Sequence, residues 1–88
     1  MARFDSMGSE YAGLASPDNA RNIFEMGLKY ASGRNGEPDL VAAHKWFNIA
    51  AFRGLEAAKI QREELSAEMT REQIATAQRA ARDWLSSH

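Results

Sequence analysis

Two stretches of this chain carry an apolar repeat of helical period, and the six residues between them cannot continue a helix. In the first, Ala20, Ile23, Phe24, Gly27, Leu28 and Ala31 recur at three- and four-residue spacing. In the second, LVAAHKWFNIAAFR, Leu40, Ala43, Phe47, Ala50 and Ala51 line one face, with Trp46 and Ile49 beside it. The intervening RNGEPD is a turn: Asn35 and Gly36 tolerate positive φ, and Pro38 precedes the helix cap Asp39. Helices joined by so short a connection fold back on each other as an antiparallel hairpin. Small residues (Gly27, Ala31, Ala43, Ala50, Ala51, Ala58) stand where helices would face each other and let backbones approach, while Phe24, Trp46 and Phe47 fill the spaces between.

The remaining boundaries follow from capping chemistry. Ser16 and Pro17 suit the N-cap and first position of the first helix, Gly33 its left-handed C-terminus, and Gly54 the end of the second. Met26 and Tyr30 widen the first helix's apolar face, so packing on two sides is expected. A third helix starts near Leu55 with a thinner apolar set, Leu55, Ala58, Ile60 and Leu65. SAEM marks a corner, and TREQ is a capping box from Thr70 to Gln73. In the last helix Ile74, Ala77, Ala81, Trp84 and Leu85 share a face. No stretch alternates as a strand does. The expected fold is all-α: antiparallel helical hairpins, with a loose arm over residues 1–15, a first unit over 16–58, capping helices over 59–85 and a free tail over 86–88. In the arm, Phe4, Tyr11 and Leu14 are available to dock on the body or on a partner.

The spacing of these residues resembles a Sel1-like repeat, a relative of the tetratricopeptide repeat. The positions that carry the resemblance are Gly27 and Tyr30, Gly33, Asp39, Ala43 and Trp46, Ala50 and Ala51, Gly54 and Ala58. It covers one repeat, roughly residues 20–58. Asn35 and Gly36 depart from the usual glycine and valine of the turn, and no Leu-Gly pair follows Ala58. The resemblance implies a scaffold for protein–protein contacts without catalysis. It also implies dependence on the arm, a second copy or a partner, because repeat arrays need about three units to stand alone. Small single-repeat chains with a His-terminated tail are similar to bacterial heat-shock-induced activators of the ATP-dependent Lon protease. That similarity implies a degron-like handle made of Trp84, Leu85, Ser86, Ser87 and His88.

The composition narrows the function classes. Eleven Lys/Arg against twelve Asp/Glu leave a net charge of −1, without the basic stripe that nucleic acid or an anionic membrane surface requires. With no cysteine there is no disulfide, thiolate metal site or cysteine nucleophile. The longest apolar run, WFNIAAF, is far short of the about 20 residues a membrane span needs. The opening MARFDSMGSE has no apolar run behind its arginine, so no secretory leader is expected and the cytoplasm is the default location. At 88 residues one modest core is expected, burying roughly 60–65% of the unfolded surface.

Catalytic or metal chemistry finds little support in the residues. His44 lies mid-helix beside the apolar face, with no second ligand at metal spacing, and reads as a structural histidine. Glu63, Glu64, Glu68 and Glu72 straddle the corner near residue 69 among Lys59, Arg62 and Arg71, which is the pattern of a solvated charged face. No nucleophile elbow or phosphate loop is present, and no cofactor is expected. Two readings of the tail stand together: a fraying helix end, or a short polar handle with Trp84–Leu85 as its anchor. The functional expectation is a non-enzymatic adaptor, with Lon as its most concrete protein partner; a self-associating scaffold module is the alternative.

Overall fold

A computed structural model describes residues 19–33 and 36–88. The described residues form four α-helices and no strand: α1 (Ala20–Ser32), α2 (Leu40–Phe52), α3 (Glu56–Ser66) and α4 (Arg71–Ser87). The arm over residues 1–15, with Phe4, Tyr11 and Leu14, lies outside the described residues, as do Ser16, Pro17 and Asn35. The first helix begins three residues later than a Ser16 cap requires. Asn19 is its N-cap, and its side-chain oxygen accepts from the amides of Arg21 (2.9 Å) and Asn22 (3.3 Å).

The α2 sequence is apolar around most of its circumference, which suits a helix enclosed by neighbours and not one lying on a surface. The packing agrees: α1, α3 and α4 each pack on α2, and no other pair of helices has an appreciable contact. This departs from the expected arrangement in one respect. The α3 and α4 helices do not close on each other as a capping hairpin; both rest on α2 instead. The apolar positions explain it. The single buried residue of α3 is Ala58, too little for a second interface, while Ala77 and Ala81 of α4 are buried in their own seam.

The α1–α2 contact is set by shape. Gly27 is buried and lies flat against the Phe47 ring: a Cβ there would stand 2.5 Å from Phe47 Cε1. Phe47 is itself 1% exposed, so its ring has no room to retreat. Phe24 packs on the same ring with centroids 5.6 Å apart. Ile23, Ile49, Ala50, Ala58 and Ala81 bring all four helices into one cluster. Met26, Leu28 and Tyr30 are exposed, so α1 buries one side and not the two expected. The reason is that no described helix lies against its outer face.

Backbone chemistry fixes the joints. Gly33 ends α1 at φ 70°, where a side chain would also collide with Gly36 O and Pro38. Across the same turn the Asp39 amide donates to Tyr30 O at 3.0 Å, and Asp39 Oδ1 then accepts from Ala42 N. After α2 the amides of Gly54 and Leu55 donate to Ala51 O and Ala50 O, a Schellman ending that needs the positive φ of Gly54 (98°) and folds Leu55 onto Ala50. The Thr70 capping box forms in both directions, 3.0 Å and 2.9 Å, and starts α4.

Candidate functional site

The helix α4 continues past Leu85 to Ser87, two residues beyond the expected stop, and its last side chains turn back onto it. Ser86 Oγ donates to Arg82 O (2.8 Å) and Ser87 Oγ to Asp83 O (3.1 Å). The His88 ring stacks on Trp84 with centroids 4.0 Å apart and planes 7° apart, while its Nδ1 meets Trp84 O at 2.8 Å. A carbonyl only accepts, so Nδ1 carries the proton in this contact and Nε2 points elsewhere. Ser86, Ser87 and His88 are nevertheless exposed. The expected free tail is therefore an exposed, ordered last turn of helix.

Trp84 anchors that turn. It is half-buried, meets Trp46 edge-on at 5.8 Å between centroids, and carries the Arg53 guanidinium 5.6 Å above its ring. Trp46 in turn lies under Lys45 Nζ at 4.3 Å. Edge-to-face aromatic pairs contribute about 0.5–1.5 kcal/mol beyond area burial, and exposed cation–π contacts about 0.5–1 kcal/mol. Beside the turn, Asn48 and Phe52 of α2 and Gln78, Ala81, Arg82 and Leu85 of α4 line an open groove of about 360 Å³. Phe52 is 74% exposed, far more than any other large apolar residue described. Sequence reasoning missed it. The signal was its position nine residues after Ala43, half a turn away from the core face.

The positions that carry the resemblance to a repeat fall into two groups. Gly27, Ala43, Ala50 and Ala58 are buried at helix contacts, with Trp46 and Ala51 half-buried next to them. Gly33, Asp39 and Gly54 act on the turns, and Tyr30 contributes its carbonyl to the first turn while its side chain is exposed.

His44 is 1% exposed, not merely close to the apolar face. Its Nε2 lies 2.9 Å from Ser66 Oγ on α3, and Ser66 donates its own proton to Arg62 O at 2.8 Å. The serine has one proton, so in this arrangement the imidazole donates: Nε2 carries hydrogen and Nδ1 is a bare lone pair. Nδ1 is buried with no partner. Burial, and secondly the Arg62 guanidinium, push the His44 pKa below its ordinary 6.5. One turn along, Arg62 Nη1 donates to Asn48 Oδ1 at 2.8 Å. Thus α2 and α3 are joined by two polar rungs. Glu63, Glu64, Glu68 and Glu72 are exposed, and among the described residues no three His, Cys, Asp or Glu side chains come together as metal ligands. No described helix is long and apolar enough to cross a membrane.

Comparison with family models, with curated proteins and with solved structures gives no match for this chain.

Proposed function

We propose that this chain is a non-enzymatic adaptor in the Sel1-like manner, which engages a larger protein through the last turn of α4, residues Trp84–His88. The observation that carries the reading is the contrast within that turn: Trp84 is tied to Trp46 in the body, while Ser86, Ser87 and His88 stand exposed on it. A held anchor with an exposed polar end loses little conformational freedom on binding, which favours affinity. The groove beside it, with Phe52, Leu85 and Arg82, offers a second contact that raises effective concentration for the first.

The most concrete partner is the ATP-dependent Lon protease, and the role is activation. An activator must bind the active state of the protease more tightly than the resting state, because equal binding shifts no equilibrium. The test is degradation of an unrelated substrate by purified Lon with the intact chain, with a version lacking Ser87 and His88, and with His88→Asp. The reading expects stimulation by the intact chain and its loss in both variants. Equal stimulation by all three removes the tail from the account.

The exposure of Phe52 favours a second reading, a self-associating module whose groove packs on another copy. Sedimentation over a concentration range separates the two: a monomer at all concentrations leaves only the adaptor, and a Phe52→Ser-sensitive dimer supports the module.

A further inference from the structure

We propose that His44 and Ser66 form a proton-operated latch, which holds α3 on α2 while the imidazole is neutral and releases it when the imidazole is charged. This inference is independent of what the α4 turn binds.

Geometry carries the argument. The apolar hold on α3 is thin: Ala58 is its single buried residue, Ile60 is 49% exposed, and the helix packs appreciably on α2 alone. The polar rungs His44–Ser66 and Asn48–Arg62 therefore contribute a large share of what keeps it in place. The His44 rung is sensitive to charge. A proton from water would land on His44 Nδ1, the free lone pair, leaving the Nε2–H bond to Ser66 Oγ formally possible. But Nδ1–H would then be a buried donor without an acceptor, on a cation beside the Arg62 guanidinium. Arg62 on α3 is the charged group that acts on His44; among the described residues neither α1 nor α4 presents an ionisable group to it. No carboxylate is there to rescue the charge. The ring must leave its pocket to be solvated, and leaving breaks the Ser66 rung.

The direction with pH follows from linkage. The folded-state pKa lies below the unfolded 6.5, so the closed state binds fewer protons than the open one in the interval between the two values. The latch is fully closed above about pH 6.5. As pH falls from there towards the depressed folded value, opening grows by up to about tenfold per pH unit. Because α3 scarcely touches α1 or α4, the opening is local, and it takes the Arg62–Asn48 bond beside the groove with it.

The experiment is amide hydrogen exchange on the full chain at pH 7.0, 6.0 and 5.5, corrected for intrinsic rates, with His44→Gln as the neutral control. The expected result is that α3 amides open more often by up to about tenfold per unit below pH 6.5 while α1 amides hold steady, and that the control is flat. Parallel loss of protection in α1 and α3, or a pH-independent α3, overturns the latch. Should the control fail to fold, nitrogen NMR of the wild-type ring decides. An Nε2–H tautomer that persists below pH 6.5 supports the latch, and an Nδ1–H tautomer or an ordinary titration at 6.5 refutes it.

Discussion

The central helix α2 has two seams that share the same backbone and work by different forces. Towards α4 the seam is apolar and aromatic: Ala77 and Ala81 are buried, and Trp84 sits edge-on against Trp46. Towards α3 it is thin and polar, with Ala58 and two hydrogen-bonded rungs. Apolar contacts do not depend on protonation, and their strength adds up over area. Hydrogen bonds contribute only about 0.5–1.5 kcal/mol each when made, and leave a larger penalty when one partner is removed. The difference assigns the two helices different roles: α4 holds its last turn on a fixed platform, and α3 is the part that can let go.

Three substitutions probe that division, in falling order of effect. Phe47→Ala strips the buried ring that Gly27 and Phe24 rest on, and costs about 3–5 kcal/mol, a large part of the stability of a small domain. Denaturant melts should show α1, α2 and α4 lost together; a selective loss of α1 alone breaks the view of α2 as the common core. Ser66→Ala leaves His44 Nε2–H buried without an acceptor and costs about 1–3 kcal/mol. Here the loss belongs to α3, and hydrogen exchange should find α1 and α4 unaltered. Thr70→Ala removes the capping box and costs about 1 kcal/mol, read as a lower thermal midpoint with fraying at the start of α4 and an undisturbed Trp84–His88 stack.

The sequence predicted what is local and missed what depends on how helices cross. Gly33, Asp39, Gly54 and the Thr70–Gln73 box could be read because each joint needs a specific residue within a few positions. The shared face of Ile74, Ala77, Ala81, Trp84 and Leu85 was equally readable from its period. The His44–Ser66 bond joins residues 22 apart, and nothing in either neighbourhood announces the other. The start of α1 was misplaced because Ser16–Pro17 and Asn19 are both good caps, and the described helix uses the second. Loosening was one of the two readings of the last turn, because a free α-carboxylate is unfavourable at the negative end of a helix dipole. The serines and His88 instead add side-chain bonds four residues back, which that expectation did not include.

The most direct measurement is amide hydrogen exchange of the unmodified chain at pH 7.5, comparing mid-helix amides of α3, Ile60 to Arg62, with those of α4, Gln78 to Ala81. If the polar seam is the weaker one, the α3 amides exchange through openings about tenfold or more commoner than those of α4, a gap of at least ~1.4 kcal/mol. Equal protection in the two helices, or earlier exchange in α4, would contradict the account.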